Sequence, residues 1–403
     1  MRKVIGMGET IMDIIFHGAQ PTAAVPGGSS FNSIISIGRA GIPAVFVGET
    51  GHDEVGRRIA DFLNANHVDT SYLRMRSDIQ SAVSLAFLDE RNDAHYMFYK
   101  QPPRTLEDFI HPTVETDDIV QFGSYYALNP YIRPQVKSFL EYARSRNAIL
   151  YYDLNYRRTY KDRIRELLPS IHENFRLADL VRGSADDFEV MYGLRDAEEI
   201  YRLHIAPYCP LFLCTCGAEG VVLFTPEGSS RFPVPPVRTV STIGAGDNFN
   251  AGFIYGLIRY GIRRIDLPGL PCAQWHQAVD CGIRFAADVC GTTPSTKNSE
   301  SRWPRNFGPR PGKMFRNKSA VRPSRRSGNN RPILSVSRTC PVRLSHHRER
   351  TPLQSLCRET NRGCTLRSIL HRHAQPDGTP APAIQTVIQP RVVAYLFARK
   401  ECP

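Results

Sequence analysis

The sequence predicts an α/β protein: a doubly wound, mostly parallel sheet flanked by helices, with a small β-sheet lid and a disordered basic C-terminal tail. Three observations carry this expectation. Short runs rich in Val, Ile and Phe alternate with stretches whose apolar residues recur at helical spacing. One hairpin-like pair of strands interrupts that alternation. Charge and periodicity both change abruptly near residue 296.

The 403 residues carry a formal net charge of +12, unevenly spread. From Ser301 to Pro403 there are 21 Lys and Arg against 4 Asp and Glu, which leaves 30 basic and 35 acidic residues before them. A body at −5 therefore precedes a tail at +17, and the mean basicity says nothing of a nucleic-acid partner for the body. In the tail Arg, Pro and Ser recur, aromatic residues are sparse, and no stretch holds a period except Ile384 to Ala398. That is the composition of a chain too polar to bury a core. A displaced reading frame yields the same unpatterned mixture, and a basic arm for RNA or a membrane is the functional alternative. Residues 1–296 are thus expected to form one domain, with a lid from about 13–26 and 80–100, and 297–403 a tail of low order.

Cysteine usage fits a reducing compartment. Cys209, Cys214, Cys216, Cys272, Cys281 and Cys290 sit mostly in apolar runs, as small buried hydrophobes do. Cys214-x-Cys216 lacks a second pair for zinc, and Cys340, Cys357, Cys364 and Cys402 have no zinc spacing. Glu9 and Asp13 interrupt the N-terminal apolar stretch where a signal peptide needs an unbroken core, and no run reaches the roughly 18 apolar residues of a membrane span. The body is expected to be cytoplasmic, without a membrane partner.

In chain order, Val4 to Gly8 reads as a buried strand ending in Gly-x-Gly, but Ile11 stands where a dinucleotide fingerprint needs its third Gly. Asp13 lies between Met12 and Ile14, and a carboxylate in an apolar run is expected to contact a ligand, because an unpaired buried charge is costly. Gly27-Gly28 then precedes a helical pattern from Ser29 through Asn32 to Gly38, where bare backbone admits a ligand and Ser29 or Ser30 can cap the helix. Ala44 to Gly48 is a strand and Asp53 to Asn66 a helix. Ala82 to Leu88 and His95 to Tyr99 form the interrupting hairpin about the polar turn Asp89 to Ala94. Such an insert is a flap over a site or a plain edge hairpin.

The alternation resumes with strand Ile119 to Phe122, helix Arg133 to Ser145 and strand Ile149 to Tyr152. Asp153, Asn155 and Arg157 leave that strand on alternate positions and are expected to project to one side, where ligands of open α/β sheets gather. Helix Asp162 to Asn174, strand Ala178 to Val181, a helix opened by Ser184-Ala185-Asp186-Asp187, and strands Leu211 to Cys214 and Val221 to Phe224 follow. Helices Asn248 to Tyr260 and Trp275 to Val289 close the body.

The most informative stretch is Ser241-Thr242-Ile243-Gly244-Ala245-Gly246-Asp247, at the start of an apolar helical pattern. The backbone N–H groups of Gly244, Ala245 and Gly246 can approach an anion at the positive end of a helix. A carboxylate beside an anion pocket repels its ligand unless it has chemical work such as accepting a proton. A Gly-containing loop with Asp247 as a helix cap would have the same sequence.

Together these motifs resemble the ribokinase-like (PfkB) carbohydrate kinases, in particular the fructokinase-like branch. Gly27-Gly28-Ser29-Ser30-Phe31-Asn32 is similar to the family's first signature. Ser241 to Asp247 is similar to the second, with Ser241 in place of the usual Asp. The resemblance covers roughly residues 1–296 and implies ATP-dependent phosphorylation of a hydroxyl on a free sugar, fructose or a related ketose or sugar acid. It implies Asp247 as general base with the Gly244, Ala245 and Gly246 amides as anion hole, and Asp13, Gly27, Gly28 and Asn32 as sugar ligands. The nucleotide would meet Thr215, Gly217 and Gly220, which match a Thr-x-Gly-x-x-Gly loop, together with Asn155 and Arg157 facing the phosphates. The family's Asn-x-x-Glu element corresponds to Ser184 and Asp187, which would take part in nucleotide binding and in holding Mg2+ through water. The adenine-side segment Asp280 to Ala287 gives no clear match.

A ribokinase or nucleoside kinase is the alternative within the same class. A non-catalytic sugar sensor, or a nucleic-acid binder acting through its tail, is the alternative outside it, and retention of Asp247 opposes the sensor. No nucleic-acid partner is expected. A homodimer formed through the lid is.

Overall fold

The computed structural model describes residues 1–89, 94–101, 110–237 and 241–291, all within the compact unit Met1–Pro323. The hairpin turn at 90–93 and the tail expected over 297–403 lie outside the described residues. The chain opens with β1 (Val4–Met7), β2 (Ile11–His17), β3 (Gln20–Gly27) and α1 (Ser29–Arg39). It continues through β4 (Ala44–Gly51), α2 (Glu54–Ala65), β5 (Val68–Asp69), β6 (Leu73–Arg76), β7 (Val83–Leu88) and β8 (Ala94–Tyr99). Next come β9 (Ile119–Gly123), α3 (Arg133–Ser145), β10 (Ile149–Asp153), α4 (Ile164–Leu177), β11 (Leu180–Ser184), α5 (Ala185–Tyr192) and the single-turn α6 (Ala197–Ile200). The described body ends with β12 (Phe212–Thr215), β13 (Val221–Thr225), β14 (Gly228–Phe232), α7 (Ala245–Arg259) and α8 (Cys272–Cys290).

The main sheet runs β14-β13-β12-β11-β10-β9-β1-β4-β5, with β6 also pairing β4. From β12 to β5 every pairing is parallel, while β13 and β14 turn back antiparallel at one edge. Strands β1, β9 and β10 are buried at every residue, which is why they read as largely apolar runs without alternation, the buried Gln121 of β9 and Asp153 at the end of β10 excepted. The β13–β14 hairpin pairs the expected strand Val221 to Phe224 with a further edge strand not expected from sequence. Its outer strand, Gly-Ser-Ser-Arg-Phe, is mostly exposed and too polar to stand out as a strand.

Three helix boundaries differ from the sequence reading in ways that matter for the site. Helix α7 starts at Ala245, not Asn248, because Gly244 takes a left-handed backbone (φ 75°) and turns the chain into the helix. Asp247 is therefore inside the first turn. Helix α8 begins at Cys272, ahead of Trp275. Helix α4 begins at Ile164, after a short 3-10 turn over Arg158–Arg163.

The second sheet, in the order β3-β2-β7-β8, joins the two segments expected to form the lid. Met12 to His17 pair with Val83 to Leu88 in parallel, so the hairpin lies directly against Asp13. Its final strand leaves Met97, Phe98 and Tyr99 exposed at 47%, 44% and 55%. Just beyond it, Lys100 Nζ meets Glu9 Oε2 at 2.6 Å and ties the lid to the loop after β1. Among the described residues no helix is long and apolar enough to cross a membrane.

Candidate active site

The carboxyl ends of the parallel strands bring together segments far apart in sequence, as open α/β sheets do. Gly28 sits at the mouth of α1 with φ 135°, and a side chain there would place its Cβ 2.3 Å from the Glu9 carbonyl. Helix α1 presents Ser29, Asn32, Ser33 and Ser36 at i, i+3, i+4 and i+7, a polar stripe on one face. That stripe meets the start of α7. Asn32 Nδ2 donates to Asp247 Oδ2 at 2.8 Å, Ser29 Oγ lies 3.0 Å from Asp247 Oδ1, and Ser33 Oγ donates to the Asp247 carbonyl at 2.7 Å. Ser36 Oγ donates to Asn248 Oδ1 at 2.7 Å.

Asp247 is not the cap of its own helix. The N-cap is Gly244, which makes no side-chain cap bond, and the Asp247 carboxylate reaches across to α1 instead. At 8% exposure it is buried, and burial pushes its carboxyl above the usual carboxylate range. Asn32, Arg157 and Ser29 pull it back down, while Asp153 adds to the upward push. A buried carboxylate of raised proton affinity suits a general base.

Of the three amides expected to form an anion hole, that of Ala245 bonds the Thr242 carbonyl at 3.1 Å, closing a turn, while those of Gly244 and Gly246, and that of Asp247 beside them, have no acceptor among the described residues. Behind Gly246 lies the buried guanidinium of Arg182, whose Nη2 would stand 2.8 Å from any Cβ added there. Arg182 Nη1 donates to Asp153 Oδ1 at 2.9 Å and Nη2 to Thr215 Oγ1 at 2.6 Å. Burial lowers the Arg182 pKa, but Asp153 and then Asp187 outweigh it and hold the guanidinium above its ordinary value. Asn250 Nδ2 donates to Asp153 Oδ2 at 2.9 Å and is itself fixed by the Tyr151 hydroxyl at 2.8 Å.

Asp13 receives a hydrogen bond from the Ser84 hydroxyl across the β2–β7 pairing. Burial raises its carboxyl, against Ser84 and the charge of Arg157. Tyr96, on β8, is pushed up to about 12 by burial and then by Asp13 and Asp247. Gly27 lies 2.8 Å, measured from an added Cβ, from Asp13 Oδ2 and 3.9 Å from Asn32 Oδ1. Asp13, Gly27, Asn32 and Asp247 therefore lie close together where the second sheet meets α1 and α7.

The strand alternation expected to run from Asp153 through Asn155 to Arg157 stops at the end of β10, although Asp153 and Arg157 both lie near enough to act on Asp247. The strand ends at Asp153, which is buried and ion-paired. Asn155 turns to φ 39° with its Nδ2 buried and unpartnered, and Arg157 is exposed. Arg157 lies close enough for its charge to act on both Asp13 and Asp247, favouring their ionised forms. Thr215, Gly217 and Gly220 close β12, with Gly217 at φ 57° and Gly220 at φ 101°. Ser184 and Asp187 bind each other: the Ser184 hydroxyl accepts the Asp187 N–H at 3.1 Å and Asp187 Oδ2 accepts the Ser184 N–H at 2.7 Å. No group of three His, Cys, Asp or Glu among the described residues is placed to hold a metal ion.

Several contributors escaped the sequence reading as site residues: Ser29 and Ser33, Arg182 and Asn250, which hold the expected Asp153, and Ser84 and Tyr96 of the second sheet. Only the stripe had a local signal, four small polar residues at helical spacing on an otherwise apolar helix. The buried pair Asp153 and Arg182 is joined across two strands, and no spacing encodes it.

The sequence model of the pfkB family carbohydrate kinases matches residues 1–301. Aminoimidazole riboside kinase of Salmonella typhimurium is 27% identical over 265 residues, covering 64% of this chain and 82% of that protein. Fructokinase-1 of Zea mays is 26% identical over 306 residues, covering 73% and 92%. Among solved structures, fructokinase from Vibrio cholerae with fructose, ADP and calcium superposes with a TM-score of 0.64 at 24% identity, covering 72% of this chain and 94% of that one. Aminoimidazole riboside kinase from Salmonella enterica, complexed with aminoimidazole riboside and an ATP analog, gives 0.61 at 25% identity, covering 74% and 99%.

Proposed function

The chain belongs to the PfkB family of carbohydrate kinases, and from that premise we propose that it transfers the γ-phosphoryl group of ATP to a hydroxyl of free fructose or a related ketose or sugar acid. One observation carries the reading: Asp247 stands in the first turn of α7 with its carboxylate released from capping, beside amides of Gly246 and Asp247 that have no acceptor among the described residues. Proton acceptor and anion hole then lie at one helix terminus, so the oxygen that loses its proton is next to the phosphoryl group it attacks.

In this reading Asp13, the Gly27-Gly28 backbone and the Asn32 amide oxygen hold the acceptor, with Arg157 and Tyr96 alongside. The sugar O–H gives its proton to Asp247 as the new O–P bond forms and the bond to the nucleotide's bridging oxygen breaks. Thr215, Gly217, Gly220 and Asn155 receive the nucleotide, and Arg182 places a fixed positive charge behind Gly246. The buried unpartnered Nδ2 of Asn155 fits an incoming phosphate oxygen.

Magnesium enters with the nucleotide phosphates, whose charge it neutralises. One Asp187 oxygen is held by the cap, so this residue fits a cation touched through water and not a direct ligand. The enzyme works in the cytoplasm, and the exposed Met97, Phe98 and Tyr99 suit a lid that pairs with a second copy.

An ADP-release screen over free hexoses, pentoses, sugar acids and nucleosides tests the proposal. Turnover on a ketose or sugar acid is expected. Turnover on ribose or a nucleoside alone moves the assignment to the riboside branch, which the Salmonella relative favours. Sugar binding without ADP release from any acceptor would make the protein a sensor.

A further inference from the structure

The polar stripe of α1 contains one hydroxyl that the kinase reading leaves without a role. Ser29 Oγ is 3.0 Å from Asp247 Oδ1 and 3.1 Å from Asp153 Oδ2, so one hydrogen faces two carboxylate oxygens. The carboxylates differ. Asp153 already has the Arg182 guanidinium on Oδ1 and the Asn250 amide on Oδ2, and it is fixed as the charged partner of a buried ion pair. Among the described residues the Asp247 carboxylate accepts only from Asn32 besides Ser29, and in the proposed reading it is the group that takes the acceptor's proton.

We propose that Ser29 is a positioning residue for the base: its hydroxyl donates to Asp247 while that carboxylate is charged, and turns toward Asp153 once Asp247 holds the acceptor's proton. The proposal rests on the assignment of Asp247 as base. The step balances without a further reactant. The sugar O–H bond breaks, an O–H bond forms on Asp247, and the Ser29 O–H bond only rotates. Rotation lets the protonated Asp247 donate to Ser29 Oγ while Ser29 donates to Asp153, so neither contact lacks a hydrogen on the product side.

Every charged or titratable group near Asp247 bears on the sign. Asp153 and Asp13 oppose its ionisation, Arg157 favours it, Tyr96 adds to the crowding from the lid, and Arg182 lies behind Gly246. Against burial and two carboxylates, the hydrogen bonds from Asn32 and Ser29 and the charge of Arg157 favour the ionised form of Asp247, and Ser29 is one of its two side-chain donors among the described residues.

The test is the pH profile of kcat/KM for Ser29→Ala, Ser29→Thr and Ser29→Cys, with Asp247→Asn as control and thermal unfolding to show that each folds. Ser29→Ala should lose about tenfold on the acid side, a limb moved up by about one pH unit, and no more than about threefold on the plateau. Thr, which restores the hydroxyl, should return the limb, and Cys, a weak donor of similar size, should fall between. A limb unmoved in Ser29→Ala, or Thr behaving like Ala, overturns the proposal while leaving Asp247 as base if Asp247→Asn is inactive. If Asp247→Asn keeps its turnover, the base assignment and this proposal fall together.

Discussion

Helices α5 and α7 each carry an aspartate in their first turn, and burial raises both carboxyls. They do different work. At α5, Asp187 folds back and accepts the Ser184 N–H, completing a reciprocal box that satisfies two orphan amides of its own helix. At α7 a left-handed Gly244 replaces the capping side chain, and Asp247 points its oxygens at α1. A carboxylate used as a cap is turned back onto its own helix, whereas one held by another element's donors is directed away from it, across to α1. Residue type and helix position are alike at the two sites, and the residue at the N-cap decides the outcome.

The sharpest way to break the comparison is to neutralise both acids. Asp247→Asn can accept from Asn32 and donate to Ser29, keeping both contacts, but it cannot take a proton. We expect kcat to fall by about 10²- to 10⁴-fold with sugar affinity little changed, measured by steady-state kinetics and calorimetric titration. Turnover within about threefold of the parent would return Asp247 to the status of Asp187.

Gly246→Ala ranks next. Its new Cβ would lie 2.8 Å from Arg182 Nη2 and 3.2 Å from Nη1, forcing the guanidinium off Asp153 or Thr215. Overpacking of this kind costs about 1–3 kcal/mol. A lower Tm and roughly tenfold loss in kcat/KM for ATP are expected. Wild-type stability and ATP kinetics would mean that Arg182 has room to move.

Asp187→Ala should act chiefly through stability. Loss of a cap costs about 1 kcal/mol, visible as a lower Tm. With saturating magnesium kcat should stay within about tenfold of the parent, and the magnesium needed for half-maximal rate should rise. A collapse in kcat at every magnesium concentration would make Asp187 a participant equal to Asp247.

The smallest effect concerns pH and stability at α7. Because burial raises the folded-state pKa of Asp247, the folded chain binds that proton more tightly than the unfolded one. Its contribution to stability is therefore present at low pH. It declines as pH rises from the unfolded value, about 3.9, through the raised folded value, and is constant above it. Asp247→Asn lacks this decline, so its Tm relative to the parent should climb across that window and then level off. A Tm difference independent of pH would show that burial of the charge carries no penalty.

The sequence by itself determined the parallel body, because strands buried on both faces must be apolar throughout and helices covering them must keep a 3.6-residue period. It also determined which short segments carry chemistry, since bare Gly backbone and a carboxylate at a helix start are local features. Tertiary structure alone decided what those groups do. That Asp247 is no cap depends on α1 arriving with Asn32 and Ser29 some 215 residues away in sequence, and the bonds that hold the carboxylate are made only on packing. The spread of Asp153, Asn155 and Arg157 into buried, turned and exposed positions was equally invisible to an alternation rule, because the strand ends at Asp153 and Asn155 adopts a left-handed backbone. The Asp153–Arg182 pair joins neighbouring strands whose register is set by the whole sheet, a long-range property that no single stretch of sequence contains.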